Sequence, residues 1–418
     1  MRYYLADTVN KSLGATASVL SAAKFVSGSK LNPLKHTKIG RVQNALLETS
    51  IRVLQHYPKR GWNYPDIKVG RKHYPIEETL ITEKPFCKLM KFRRSGLSED
   101  APKVLFVAAM SGHHATLSRE TFQEYLPDHE IYVTDWTDAR EVPLEEGRFG
   151  FEEYISYVVD FLKILGPGIH MVGLCQAGIP GLAAAAILAQ EKSDCRPASM
   201  TFLASPMDIQ INPGLLTKAT SLINSHMINA LAIHKVPARY PGRGRRVYPG
   251  IVQLGNFMTM SISSHIESHA QFFKDIYHGN VDDAEKFRDF YDEYFCLLDA
   301  TAEFYIETLE NVFIDQTLPK GLLNVEGKKV DCAAIKDIPL FTSEGKKDNM
   351  VTPGQCHAAA SFCKSLPSNL KESYAQAGVG HYGVFSGSKY RNGIAPKIKS
   401  FIKKHHQPVA RLSLAKQA

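Results

Sequence analysis

The strongest chemical signal in the chain is a cysteine at the point where an apolar run meets a small-residue segment. Cys175 lies in the sequence HMVGLCQAG (170–178), with Gly173 two residues before it and Ala177 two residues after it. This spacing is typical of a nucleophile elbow, a tight strand-to-helix turn that exposes the nucleophile. A helix beginning at Gln176 would direct its positive end towards Cys175 and favour a thiolate. A buried cysteine in a tight turn is the alternative interpretation.

A nucleophile of this kind needs a base, and the base needs a carboxylate to orient it, both later in the chain. Asp348 follows the apolar segment IPLFT (338–342), and Glu344 in the same loop is the competing acid. We prefer Asp348 because it lies at the apex of the loop, whereas Glu344 directly follows the predicted strand. His381 lies in GVGHYGVFSG (378–387), whose glycines form a flexible loop that can present an imidazole to the nucleophile. The three residues in this order predict nucleophilic catalysis.

An oxyanion hole is predicted beside the elbow. The backbone N–H of Gln176 is one expected donor, and the loop after the apolar run VLFVAA (104–109) supplies the other. Ser111 and Gly112 are the candidates in that loop, because a Ser-Gly turn can direct an N–H inwards. One such donor stabilises a transition state by ~3 kcal/mol.

The histidines and cysteines do not predict a metal site. His113 and His114 follow the oxyanion loop, but adjacent side chains point in different directions and the sequence places no carboxylate partner beside them. We favour a role in loop structure or substrate contact for this pair over metal binding. Seven cysteines are scattered from Cys87 to Cys363 without zinc spacing or a disulfide framework. The sequence therefore predicts neither a metal nor a bound cofactor.

Strand–helix alternation indicates a mostly parallel sheet with helices on both faces. We predict a helical N-terminal extension over residues 1–85 and an α/β core over 86–207 and 338–418, interrupted by a helical cap over 208–337. The predicted strands are 104–109, 130–134, 169–174, 200–204, 338–342 and 372–375, and the predicted helices are 116–125, 151–165, 176–190, 353–363 and 394–404.

Six motifs, spread over nearly the whole chain, resemble those of intracellular poly(3-hydroxybutyrate) depolymerases, which use a Cys-Asp-His triad on an α/β-hydrolase fold. The motifs are MSGHHATLSRETF (110–122), VTDWTDAREVP (133–143), HMVGLCQAG (170–178), ASPMD (204–208), FTSEGKKDNMVTPGQ (341–355) and GHYGVFSG (380–387). The resemblance implies that Cys175 is the nucleophile, Asp348 the acid and His381 the base. Lys346 and Lys347 depart from the more acidic loop expected beside Asp348.

The resemblance implies hydrolysis of polyester through a thioester, with water as acceptor or a thiol such as coenzyme A in its place. It also implies a cytoplasmic protein associated with polymer granules. Two alternatives stay open: a polyhydroxyalkanoate synthase-like acyltransferase, which shares the Cys elbow and Asp135-Trp136, and a non-catalytic granule-associated protein. The residues around His381 differ from those of synthases.

The cap is rich in methionine and aromatic residues. We expect most of them to form the cap's own core and some to line an apolar channel over the elbow, through which a polymer reaches the nucleophile. The residues are Phe257, Met258, Met260, Phe272, Phe273, Phe290, Tyr291, Tyr294 and Phe295.

Fifty Lys and Arg residues against 42 Asp and Glu give a modest excess of positive charge, concentrated after residue 388. For this tail and for the basic stretch 239–246 we favour a solvated face over nucleic-acid binding. The alternative is attraction to a granule surface, with Ile398, Phe401 and Ile402 adding apolar contact. The uncharged stretch 171–189 is long enough to cross a membrane, but its glycines and Pro180 favour a strand–turn–helix. The N-terminus makes a poor secretory signal. We therefore expect no transmembrane segment.

Overall fold

A computed structural model describes residues 2–29, 31–214, 217, 225–260 and 262–407. The end of the basic tail, including Arg411 and Lys416, lies outside the described residues.

An eight-stranded sheet forms the centre of the molecule. Its strands, numbered along the chain, are β1 (Ile76–Lys84), β2 (Cys87–Arg94), β3 (Lys103–Val107), β4 (Glu130–Trp136), β5 (Ile169–Leu174), β6 (Ser199–Leu203), β7 (Leu340–Gly345) and β8 (Lys371–Gln376). Their spatial order is 1-2-4-3-5-6-7-8. β2 pairs antiparallel with both neighbours, and all the other pairs are parallel. This order and direction are those of the α/β-hydrolase fold, as predicted.

Helices cover the sheet, so its central strands are apolar on both faces. Every residue of β4, β5 and β6 is buried. The helices are α1 (Arg2–Gly28), α2 (Lys38–Leu54), α3 (Arg119–Gln123), α4 (Phe151–Leu165), α5 (Gly178–Gln190), α6 (Ser225–Leu231), α7 (Gly250–Met260), α8 (Ile262–His278), α9 (Val281–Tyr294), α10 (Ala302–Thr308), α11 (Ala359–Phe362), α12 (Gly387–Lys389) and α13 (Ala395–His405). Four fully buried alanines, Ala183–Ala186, let α5 lie close to the sheet.

The N-terminal extension is not helical throughout. α1 and α2 are helices as expected, but Ile67–Val69 and Lys72–Tyr74 form a hairpin, and β1 is the first strand of the central sheet. The predicted boundary after residue 85 therefore separates two paired strands, β1 and β2. β1 is an edge strand, largely exposed and rich in charged residues, so it lacks the apolar run that marks the central strands.

The cap comprises α6 to α10 and two small β elements that the sequence did not predict. Three short antiparallel strands, His234–Lys235, Arg246–Tyr248 and Ala300–Thr301, form one sheet, and Asn324–Val325 pairs with Lys328–Lys329. These strands have two or three residues each, too few for a recognisable alternation of apolar and polar side chains. α8 packs against α2, so the cap joins the N-terminal helices to the core.

The solvated face expected for 239–246 is confirmed for the exposed Arg239, Arg243 and Arg246, but two details of the basic stretches are wrong. Ile398, Phe401 and Ile402 of α13 are buried in the core and cannot contact a granule. Arg245 is also buried, where its guanidinium donates to the carbonyls of Val142, Pro143 and Gly147, so this part of 239–246 is structural. None of the helices in the described part of the chain is long and apolar enough to cross a bilayer.

Candidate active site

Cys175 occupies the turn between β5 and α5. Its backbone has φ of +49°, in the left-handed region that is strained for a side chain with a Cβ atom. The turn continues as a 3₁₀ segment, Cys175–Ala177, before α5 begins. A Cβ atom added at Gly173 would lie 3.0 Å from the ring of Phe202 and 3.3 Å from the carbonyl oxygen of Ala177. The elbow therefore has little room for a larger residue at this position.

Asp348 and His381 meet at the carboxyl end of the sheet. The Nδ1 atom of His381 donates to Oδ2 of Asp348 over 2.8 Å. The other carboxylate oxygen accepts from the backbone N–H groups of Met350 and Val351, both at 2.9 Å. Both oxygens of Asp348 are thus engaged, which fixes the orientation of the imidazole.

Glu344, the competing acid, lies elsewhere. Its Oε1 atom accepts from the N–H of Gly354 at 2.8 Å and is 3.4 Å from Nε2 of His357. The structure therefore brings Asp348, and not Glu344, to His381.

Backbone hydrogen bonds join the loops that carry the acid and the base. Lys346 donates to the carbonyl of Gln376 and Lys347 to that of Val379, both at 2.9 Å. The side chains of these two lysines point into solvent. The unexpected positive charge in the loop is accordingly screened by water and leaves the buried Asp348–His381 pair intact.

Burial and charge act in opposite directions on His381. Burial lowers the pKa of the imidazole, but the charge of Asp348 and then that of Cys175 raise it, together with hydrogen bonds to both side chains. The pKa of His381 is consequently raised well above its ordinary value. An imidazole with a raised pKa binds a proton more readily and so suits the role of general base.

The oxyanion loop lies beside the residue after the nucleophile. The backbone N–H of Met110 donates to Oε1 of Gln176 over 3.1 Å, so the side chain of Gln176 occupies this donor. Ser111 and Gly112 lie further along the loop, and all four residues line the cavity that contains Cys175. A donor role for Ser111 or Gly112 stays a prediction. The hydrogen bond of Met110 was not predicted, because a backbone donor needs no particular side chain.

The backbone before Met110 is held by buried hydrogen bonds. The carbonyl oxygen of Ala108 accepts from Nε1 of Trp136 and from the hydroxyl of Tyr154, each at 2.8 Å. The backbone N–H of Ala108 donates to Oγ1 of Thr134 over 2.9 Å. These bonds position the N–H of Met110 without a contribution from its own side chain.

A predominantly apolar cavity of about 520 Å³ lies between the core loops and the cap. Cys175, Gln176 and His381 line its floor, and the cap supplies Phe257 and Phe290, two of the nine residues considered for a channel. A π-helical turn, Leu309–Ile314, also contributes to the lining. Phe272, Tyr291 and Tyr294 are buried within the cap instead, and Met258 and Phe295 line a separate cavity.

His113 and His114 are buried beside this cavity. The ring of His113 stacks on Tyr294 and Phe257 with centroids 5.1 and 5.7 Å apart, and its backbone forms an isolated β-bridge with Leu297. Burial lowers the pKa of His113 to about 4 and that of His114 to about 3. Neutral imidazoles in this loop fit a structural role. No cluster of three or more metal-binding side chains is found in the described ranges.

Comparison with known proteins gives one family match. The family model described as PHB de-polymerase C-terminus matches residues 204–406, a range that contains Asp348 and His381 but begins after Cys175. No curated protein matches the chain.

Solved structures with a similar fold share little sequence with the chain. A soluble variant of monoglyceride lipase from Saccharomyces cerevisiae, in complex with a substrate analog, is 12% identical with a TM-score of 0.46, over 83% of this chain and 99% of that chain. A monoacylglycerol lipase from Paleococcus ferrophilus is 10% identical with a TM-score of 0.44, over 76% and 99%. A thermophilic esterase from Thermogutta terrifontis is 14% identical with a TM-score of 0.42, over 80% and 100%.

Proposed function

Since residues 204–406 belong to the PHB depolymerase family, we propose that the protein hydrolyses poly(3-hydroxybutyrate) through a Cys-Asp-His triad. The family and the α/β-hydrolase fold make it an ester hydrolase. The observation that carries the finer proposal is that Cys175 and His381 line one apolar cavity, while the Asp348 carboxylate is hydrogen-bonded to His381. An apolar lining suits an uncharged polyester chain.

In the proposed acylation step, His381 accepts the proton of Cys175, and the thiolate attacks an ester carbonyl carbon of the polymer. Asp348 holds the imidazole and stabilises its positive charge. The backbone N–H of Gln176 and one from the loop of Ser111 and Gly112 stabilise the negative oxygen of the tetrahedral intermediate. The intermediate collapses to a thioester on Cys175, and the leaving alkoxide takes the proton from His381 and departs as a hydroxyl end.

In the proposed deacylation step, His381 takes a proton from water, whose oxygen attacks the thioester carbonyl carbon. The tetrahedral intermediate then breaks its C–S bond, the sulfur of Cys175 leaves and recovers the proton from His381, and the carboxylic acid is released. A thiol such as coenzyme A would act in the same way and release a new thioester. Neither acceptor needs a bound cofactor. We place this reaction at the surface of polymer granules in the cytoplasm.

The test is the incubation of amorphous polymer granules with the protein, with and without coenzyme A, and identification of the products by mass. We expect hydroxyacids to be released by the wild type and Cys175→Ala to lower the rate by at least about 10³-fold. Cys195→Ala is the matched control, because Cys195 is a partly exposed cysteine away from the cavity.

Three outcomes would contradict the proposal. Release by Cys175→Ala at the wild-type rate would place the nucleophile elsewhere. Polymer formation from 3-hydroxybutyryl-CoA, without release of acid from granules, would favour the acyltransferase. Release by neither wild type nor variants would favour a non-catalytic granule protein.

A further inference from the structure

The helices α1 and α2 pack against each other and form a helical hairpin, called the hairpin from here on. Its second helix, α2, carries apolar residues on the side that faces solvent. Ile39, Val42, Leu46 and Val53 of α2 are all exposed, Ile39 by 73%. Their spacing of i, i+3, i+7 and i+14 places them on one helix face. A helix at the surface of a globular protein normally buries its apolar face and exposes its polar face. This face of α2 therefore has the composition of an interaction surface.

Ion pairs fix the direction in which this face points. On the opposite side of α2, Glu48 pairs with Lys24 of α1 and with Arg288 of α9, the latter at 2.8 Å. Arg52 pairs with Asp292, also of α9. Glu48 and Arg52 are buried between the hairpin and the cap. Rotating α2 to bury its apolar face would break these pairs, so the exposed face is a stable feature.

The end of the hairpin extends the same surface. Phe25 and Val26 at the end of α1, with Leu31 and Leu34 in the following loop, are exposed, Leu31 by 92% and Phe25 by 82%. We call these four residues, together with Ile39, Val42 and Leu46, the hairpin patch. Single exposed apolar side chains are ordinary, but a group of seven within 22 residues indicates an interaction site.

The charge around the hairpin patch is positive. Residues 1–56 contain eight Lys and Arg against two Asp and Glu. Lys35, Lys38 and Arg41 are exposed, and none of them pairs with a carboxylate in the part of the chain that the structure describes. A cavity of about 510 Å³ between this end of the hairpin and the end of α8 is lined by Lys35, His36, Arg41 and His278. Within the described ranges, no acidic side chain lines this cavity.

We propose that the hairpin patch docks on an anionic phospholipid layer, with its apolar side chains entering the acyl region and Lys35, Lys38 and Arg41 contacting the headgroup phosphates. Apolar residues flanked by unpaired cations are the composition of interfacial anchors. A second copy of this chain would bring two positively charged surfaces together, so charge disfavours it as the occupant. On the proposed function, this layer is the coat of a polymer granule.

The inference is tested by co-sedimentation of the full-length protein with vesicles of phosphatidylcholine, with and without phosphatidylglycerol. We expect binding only when phosphatidylglycerol is present. The double variants Phe25→Ser/Leu31→Ser and Lys35→Glu/Arg41→Glu should each lower binding by at least about tenfold. Matched controls are Ile164→Ser, an exposed isoleucine on α4, and Lys328→Glu/Lys364→Glu, two exposed lysines of the core and cap.

Equal binding of the hairpin variants and the wild type would overturn the inference, as would equal binding to vesicles with and without the anionic lipid. A wild-type dimer in light scattering that Phe25→Ser/Leu31→Ser converts to a monomer, without vesicle binding, would identify a second copy as the occupant. All variants should retain wild-type activity on a soluble short-chain ester. Because vesicle binding is measured without hydrolysis, a failure of the proposed docking can be distinguished from a failure of the proposed reaction.

Discussion

Asp348 acts on His381 through a carboxylate whose two oxygens have different partners. One oxygen accepts from the imidazole, and the other is held by the N–H groups of Met350 and Val351. The charge of this carboxylate is the largest of the influences that raise the pKa of His381 against the effect of burial. Among its neighbours, Asp348 therefore has the largest effect on the pKa of the base.

We predict that Asp348→Asn lowers the pKa of His381 and the kcat for ester hydrolysis by about 10²–10⁴-fold, because the amide keeps the shape but not the charge. The pKa is measured by NMR titration of the histidine ring carbon. With the carboxylate gone, the imidazole should lose its proton at a lower pH than in the wild type. Glu344→Gln is the control, since Glu344 lies beside His357 and not His381. A His381 titration unchanged by Asp348→Asn would show that burial and Cys175 alone set its pKa.

Side-chain chemistry was more readable from the sequence than the hydrogen bonds of the backbone. Cys175, Asp348 and His381 were predicted because each role requires a particular side chain in a particular order. The hydrogen bond from Met110 to Gln176 was not predicted, because its donor is an N–H group that almost any residue possesses. Only the hydrogen bonds to Ala108 show that the backbone at this point is fixed towards Gln176.

Elements were predicted well where a regular apolar pattern marks them. α4 and β5 have the predicted bounds, because their apolar residues follow one period without interruption. β1 was missed because an edge strand needs no apolar face. The helix predicted over 353–363 is reduced to Ala359–Phe362, because Gly354 adopts φ of +100° and gives its N–H to Glu344.

The cap helices give a prediction about substrate access. Phe257 of α7 and Phe290 of α9 are half-buried and line the cavity, so replacing them removes apolar lining without emptying the core of the cap. We expect Phe257→Ser/Phe290→Ser to lower the rate on granules by about tenfold more than on a soluble short-chain ester. Val281→Ser, an exposed position on α9, is the control. Equal losses on both substrates, at an unchanged melting temperature, would mean that the cap maintains the geometry of the triad and does not guide the polymer.

The helix α9 connects the N-terminal hairpin, the α/β core and the catalytic cavity. Its Asp292 binds Arg52 of the hairpin, its Glu293 accepts from the hydroxyl of Thr116 in the core at 2.6 Å, and its Phe290 lines the catalytic cavity. One helix thus contacts α2, which carries part of the hairpin patch, as well as the α/β core and the cavity over Cys175. A surface bound by the hairpin would be held at a constant position relative to the nucleophile, provided that the hairpin stays docked on the cap.

The docking of the hairpin should depend on pH through Glu48. Burial raises the pKa of Glu48, but hydrogen bonds and charges from Lys24 and Arg288 outweigh it, and the pKa is lowered overall. A lowered pKa stabilises docking above the ordinary pKa of glutamate, and this stabilisation is lost as the pH falls through the lowered value. We therefore expect the protection factors of α1 and α2 against hydrogen exchange to fall at acidic pH before those of the central sheet do.

Glu48→Gln should reproduce that loss at neutral pH, weakening hairpin docking by about 1–3 kcal/mol, less than for a fully buried pair because Lys24 and Arg288 are about one-third exposed. Its protection factors in α1 and α2, which correct the exchange rates for their intrinsic pH dependence, should then be nearly the same at acidic and neutral pH, while those of the wild type change. Glu99→Gln is the matched control, because Glu99 is an exposed partner of Arg93 outside the hairpin. If the hairpin of Glu48→Gln kept wild-type protection at neutral pH, its attachment to the cap would depend on Arg52 and Asp292 and not on Glu48.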